Sequence, residues 1–200
     1  LGCGSMNAAV CANKVRSAKI LAANGIPVPG DTPAKGQHIV KPVMGCGAQG
    51  VRLTDAPPGK DEFAQEYIKG ENYSVSIIGN RVVGEACLYY TGNPPLVLAV
   101  NRQFIRIDNN GLFTYEGGET PVHPAREPEI REVAVKAAAV LGCQGYCGVD
   151  VVVSDKVYVV DVNPRITTSL VGISSCMKEE VADLLVQASK GTVPDHVTIK

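Results

Sequence analysis

Val149-Asp150, and after ten further residues Asp161-Val162-Asn163-Pro164-Arg165, constrain this chain more than any other segment. Val149–Val153 and Val157–Asp161 are apolar, β-branched runs on either side of Ser154-Asp155-Lys156, a pattern that predicts one β-hairpin. Such a hairpin delivers two carboxylates, an amide and an arginine to one place. Mg²⁺ is a hard cation that takes oxygen ligands and shares them with substrate phosphates. Asp150, Asp161 and Asn163 therefore read as a metal–nucleotide platform. Arg165 stands beside it, with a guanidinium suited to charge that builds up on a phosphoryl group. The expectation is an ATP-dependent enzyme.

Two hundred residues suffice for one domain or two small lobes around a buried core. A net charge of −1 gives no case for a nucleic-acid or membrane surface. No run approaches the ~20 apolar residues of a membrane span, and no signal peptide opens the chain. Cys3, Cys11, Cys46, Cys87, Cys143, Cys147 and Cys176 are scattered, without the paired spacing of a zinc site. They read as buried thiols of a cytoplasmic protein. His38, His123 and His196 share no spacing and suggest no chemistry.

The opening Leu1-Gly2-Cys3-Gly4-Ser5-Met6 reads as the end of an earlier strand and loop, so a preceding domain is expected to be missing or truncated. Val10, Val15, Ala18 and Leu21 predict one helix over about residues 6–24, stopped by Asn24-Gly25. Strands are expected at His38–Val43, Gly50–Thr54, Phe63–Ile68 and Tyr73–Ile78. Gly79-Asn80 predicts a tight hairpin from the last of these into Arg81–Tyr89. Leu96–Ile107 is a further strand ending at the Asn109-Asn110-Gly111 turn, and Gly117–Pro121 reads as a solvent loop or a substrate lid. A second helix starts at Pro128 and ends at Leu141-Gly142, and a third covers Lys178–Lys190. The class is α+β, with mainly antiparallel strands, a small lobe over residues 1–70 and a larger one over 71–200.

Gly45-Cys46-Gly47-Ala48-Gln49-Gly50 matches G-x-G-x-x-G, but Val51–Thr54 after it reads as strand, whereas a dinucleotide fingerprint needs a helix there. Strand, glycine loop, strand is the form of a flap whose backbone amides can approach phosphates. Lys41 precedes it in the apolar strand Ile39–Val43. Alone, it reads as an edge-strand gatekeeper more readily than as a ligand.

Together these parts resemble the ATP-grasp superfamily over nearly the whole chain. Asn13-Lys14, Val40-Lys41-Pro42 with its glycine loop, Gln65–Val75, and Asp150 with Asp161–Arg165 occur in that family's order. The resemblance implies the ATP-grasp fold, two α+β lobes with ATP between them. It implies that Lys14, Lys41 and the flap glycines Gly45, Gly47 and Gly50 contact phosphates. The Gln65-Glu66-Tyr67-Ile68 hinge would hold adenine, Glu71 or Asn72 the ribose, and Asp150, Asp161 and Asn163 the Mg²⁺ or Mn²⁺. Arg165, Lys41 and Arg102 would be the catalytic cations. Asn13, Gln65 and Asn72 stand where acids are common in the family, and both hairpin acids are aspartates where many relatives use glutamate.

The implied reaction activates a carboxylate as an acyl phosphate for attack by an amine, releasing ADP and phosphate. The Asp161–Ser169 string beside Asn101-Arg102-Gln103 is most similar to the archaeal-type branch that includes tyramine–glutamate ligases. Small-molecule carboxylate and amine partners follow, and the oligomeric state is unreadable. Two other readings are a bicarbonate-activating enzyme like carbamoyl-phosphate synthase or biotin carboxylase, and a non-catalytic nucleotide-binding protein. Arg106 is a lesser phosphate candidate, and Thr167-Thr168-Ser169 an acceptor-pocket candidate.

Overall fold

Tyr73–Gly79 is buried without interruption, which only a strand covered on both faces can sustain. In the computed structural model, which describes residues 2–31, 36–45, 47–80, 83–85, 88–90 and 94–200, this run belongs to β4 (Glu71–Gly79). It is the middle strand of a five-stranded antiparallel sheet. Strand β7 (Leu96–Ile107) pairs on one side, followed by β8 (Phe113–Glu119). The expected hairpin, β9 (Gly145–Val153) and β10 (Val157–Asn163), pairs on the other.

Helix α3 (Glu127–Val140) opens with Pro in its first turn and buries Ile130, Ala134, Ala137 and Ala138 against one face of this sheet. On the other face, α4 (Ser169–Cys176) and α5 (Val181–Ser189), with Met177 between them, pack Ile173, Met177, Val181 and Leu184 against Ile78, Leu96, Leu98 and Tyr146. A separate three-stranded sheet has β1 (His38–Pro42) in the middle, between β2 (Arg52–Thr54) and β3 (Glu62–Gln65).

Several sequence expectations change. The first helix is two, α1 (Ser5–Ala12) and α2 (Lys14–Ala23). The break falls at Asn13, whose side chain accepts from the Arg16 amide while Lys14 N–H donates to Val43 O. An Asn that caps the second helix competes with continuation of the first. The buried line is then Cys11, Lys14, Ser17 and Leu21, and of the predicted stripe only Leu21 is on it.

Strand β3 ends at Gln65, because the Glu66 N–H leaves the sheet to donate to Gly30 O. Gly79-Asn80 does not lead into a strand beside β4, whose two edges are already taken by β7 and β9. The segments Val83–Glu85 (β5) and Leu88–Tyr90 (β6) pair with each other. Arg81, Val82, Ala86, Cys87 and Cys46 lie outside the described residues. Gly117-Gly118-Glu119, expected as loop, completes β8, and α4 was not anticipated, so the described residues hold five helices rather than three.

Candidate active site

Asp150 and Asp161 face each other across the hairpin register, and that register slips by one residue between Val159 and Asp161. A bulge at this point re-aims the following side chain and frees a backbone group. Both effects are used. Lys41 Nζ donates to Val160 O at 3.0 Å, and Lys14 Nζ donates to Asp161 Oδ2 at 2.5 Å. The sheet containing β1 is thereby tied to the edge strand of the larger sheet.

Between the sheets lies a cleft of about 690 Å³. It gathers Lys14, Lys41, Gly47, Gln65, Glu66, Tyr67, Ile68, Asn72, Arg102, Asp150, Asp161, Asn163 and Arg165, most of the residues singled out from the sequence. Gly45, Gly50 and Glu71 are not on its wall. Glu71 instead accepts from Tyr73 Oη at 3.1 Å, since strand alternation gives the cleft face to Asn72 and Ser74. Gln65 is buried and donates to Pro29 O, a contact that seats the connector before β1.

Lys41 is no edge gatekeeper, because β1 is a central strand. Its ammonium is buried 5.3 Å from the Phe63 ring centroid. Burial pulls its pKa down to about 8; Asp161 opposes the shift and Lys14 adds to it. Asp150 is pushed up to about 7, first by burial and then by the Asp161 charge, with Lys14, Gln103 and Asn163 opposing. Both Asp150 oxygens accept amide hydrogens, Oδ1 from Gln103 at 3.0 Å and Oδ2 from Asn163 at 3.1 Å. Arg165 is exposed at the mouth and donates to Asn163 Oδ1 at 3.4 Å and to Ile166 O at 3.0 Å.

Arg102 lines the cleft from β7, pairs with Glu119 at 3.7 Å and lies 5.9 Å from the Tyr73 ring centroid. Arg106 is absent from the wall and pairs with Glu116. The start of β2 is fastened to the turn between β7 and β8, with Leu53 N–H donating to Gly111 O and Phe113 N–H to Val51 O. Tyr67 and Phe113 meet edge-on over the same region.

A family model described as an ATP-grasp domain matches residues 11–169. The chain belongs to the ATP-grasp family. It is 32% identical over 189 residues to tyramine–L-glutamate ligase of Methanocaldococcus jannaschii, covering 94% of this chain and 53% of that protein. It is 30% identical over 177 residues to D-alanine–D-alanine ligase of a Caulobacter species, covering 71% of this chain and 51% of that protein. A crystal structure of an ATP-grasp superfamily protein from Archaeoglobus fulgidus matches with a TM-score of 0.74 at 33% identity, over 98% of this chain and 58% of that one. The chain thus spans about half the length of the curated relatives it matches.

In this ATP-grasp chain the sequence reading missed two parts of the site. The sequence points to Arg102 rather than its neighbour Gln103, yet Gln103 is the β7 residue bonded to Asp150. Strand alternation from Asn101 was the available signal, since Asn101 and Gln103 share a face. Tyr115, Gly118, Glu119 and Thr120 also line the cleft; Gly117–Pro121 reads from the sequence as a solvent loop or lid because its glycines mask the strand period. Among the described residues no helix is long and apolar enough to cross a membrane. Cys11, Cys143 and Cys147 are buried free thiols.

Proposed function

We propose that this chain is the ATP-binding and catalytic part of a ligase that joins a carboxylate to an amine while ATP is split to ADP and phosphate. The observation that carries the reading is the meeting of Lys14, Lys41, Arg102 and Arg165 around Asp150, Asp161 and Asn163 in one cleft. The named ligases among its relatives support it. In that scheme a carboxylate oxygen attacks the γ-phosphorus and ADP leaves. An amine then attacks the acyl carbon, phosphate leaves, and the amine loses a proton. Tyramine and L-glutamate, named for the M. jannaschii relative, are the first substrates to try.

Asp150, Asp161 and the Asn163 carbonyl form an all-oxygen donor set, which suits Mg²⁺ or Mn²⁺. The structure supports the fit, because Asp150 carries a raised pKa beside Asp161 and an added cation would relieve that crowding. Bound there, the ion would neutralise phosphate charge. Lys14 and Lys41 act as point charges on phosphate oxygens, and Arg165 stabilises the transferring phosphoryl group. Backbone groups of Glu66 and Ile68 hold the adenine edge, with the Glu66 N–H already bonded to Gly30 O. The cleft wall offers Asn72 rather than Glu71 to the ribose. Residues 1–70 and 71–200 act as two lobes hinged at the Glu66–Gly70 connector.

The test is ADP release from ATP and Mg²⁺ with tyramine and L-glutamate. Asp161→Ala and Arg165→Ala are each expected to slow it by about a hundredfold or more. Unchanged turnover in Asp161→Ala would remove the metal assignment. Absence of ADP release, with nucleotide still raising the melting temperature, would favour a non-catalytic binder.

A further inference from the structure

Asn101 is buried under the cleft floor, and the orientation of its amide is fixed by chemistry. Its Nδ2 faces the Ser74 carbonyl at 3.1 Å, an oxygen that can only accept. The same nitrogen reaches Ser74 Oγ and Ser76 Oγ. Asn101 Oδ1 therefore points at Thr120 Oγ1, 2.5 Å away, and Thr120 must donate to it. A hydroxyl has one hydrogen, so Thr120 keeps only lone pairs for the cleft that it lines.

A second chain of hydroxyls runs to Ser169, at the start of α4. Tyr146 donates to Ser76 Oγ at 2.9 Å. With that hydrogen committed, Tyr146 accepts from Thr167 at 3.1 Å, and Thr167 accepts from Ser169 at 3.0 Å. Ser169, which also lines the cleft, is likewise left with lone pairs only. The two first-turn amides of α4 after Ser169 offer nothing to offset this, because Leu170 N–H and Val171 N–H donate to the Thr167 and Thr168 carbonyls.

Both threonines are held by glycines that no other residue could replace without movement. A Cβ on Gly148 would come within 2.7 Å of Thr167 Cγ2, and one on Gly172 within 2.4 Å of Thr120 Cγ2. Glu119, next to Thr120, adds a carboxylate to the same wall, where it also pairs with Arg102 at 3.7 Å.

We infer that Thr120 and Ser169 form an acceptor-only subsite that selects a primary amino group on a substrate. The inference rests on the ligase reading and deepens it. Two fixed acceptors beside a carboxylate match a nitrogen with several N–H bonds, and repel nothing that carries positive charge. The group has two sources in such a reaction, the attacking amine or the α-amino group of an amino-acid acyl donor. The hydrogen-bonded chain is the positioning element, since it sets the direction in which each hydroxyl hydrogen points.

The test uses tyramine and L-glutamate as probes, each beside its N-trimethyl counterpart, which keeps the charge and has no N–H. Binding is read by calorimetry on the protein holding Mg²⁺ and a non-hydrolysable ATP analogue, and KM by ADP release. At least one primary amine is expected to bind tenfold or more tightly than its N-trimethyl form. Thr120→Val and Ser169→Ala are expected to raise the KM of that substrate about tenfold each and to leave the KM of ATP within twofold. Thr120→Ser, which keeps the hydroxyl, is expected to restore it. A change confined to tyramine assigns the subsite to the attacking amine, and one confined to L-glutamate assigns it to the acyl donor.

Equal binding of the N-trimethyl forms, no binding of either primary amine, or unaltered KM values in Thr120→Val and Ser169→Ala would overturn the subsite. Turnover that survives in those variants leaves the ligase reading standing. Tight, Thr120-dependent amine binding without any ADP release overturns the ligase reading alone.

Discussion

Lys14 Nζ stands 2.5 Å from Asp161 Oδ2, a contact from the first turn of α2 to the edge strand β10, and both side chains are largely withdrawn from water. The pair brings a residue near the start of the chain against the end of the metal hairpin. It also places a cation on an oxygen that the proposed metal would use. Lys14 is the counter-charge for the two aspartates.

Removing one partner should therefore cost more than removing both. Lys14→Met leaves Asp161 and Asp150 facing each other without that ammonium, and a loss of about 3 kcal/mol is expected for a withdrawn ion pair broken on one side. The double variant Lys14→Met/Asp161→Asn should recover a large part of it. Urea unfolding of the four proteins of the cycle in metal-free buffer measures the coupling. Additive effects would show that the contact contributes little.

Lys41 should separate stability from activity. Its ammonium is held in a buried site that favours the neutral form, with Val160 O as its hydrogen-bonded acceptor. Lys41→Met keeps the stem's volume and removes the charge. Stability should fall by no more than about 1 kcal/mol, the scale of one hydrogen bond, while turnover falls by about a hundredfold, the scale of a lost electrostatic contact. Thermal melts and ADP release on the same preparation give both numbers.

The hairpin, the lysine strand and the two-sheet plan were legible because each depends on short-range pattern: β-branched runs, a Ser-Asp-Lys turn, glycines between strands. The broken helix at Asn13 was not, since the Val43 carbonyl that receives the Lys14 amide is distant in sequence. The same holds for β8 and for Gln103, whose meaning depends on which strand lies beside which. Gly117 and Gly118 look like loop until β7 supplies their partners. Residue types near the chemistry could be read locally, but their hydrogen-bond partners came from the topology.

Gln103 should act on the metal through Asp150. Gln103→Leu removes the donor on Asp150 Oδ1 and leaves the backbone of β7 intact. An outer partner of this kind typically contributes 10–100-fold to metal affinity. The Mg²⁺ concentration giving half-maximal ADP release should rise by about that factor, and added Mg²⁺ should restore the rate. A lowered rate that no Mg²⁺ concentration rescues would assign Gln103 to substrate contact instead.

The nucleotide-free protein should be least helped by this site between pH 7 and 8. Asp150 has a folded pKa of about 7, above its unfolded value near 4, so the native state binds the extra proton in between. Stability from this group therefore falls as pH rises from 4 to 7. Lys41 has a folded pKa of about 8, below its unfolded value near 10.4, so the unfolded state binds the extra proton there. Stability from Lys41 rises as pH climbs from 8 towards 10.4. Asp150→Asn should remove the fall on the acid side and leave the alkaline rise, whereas Lys41→Met should do the reverse. Unfolding free energies of the three proteins from pH 4 to 10, measured without metal or nucleotide, decide it, and parallel curves for all three would show that neither group carries the linkage.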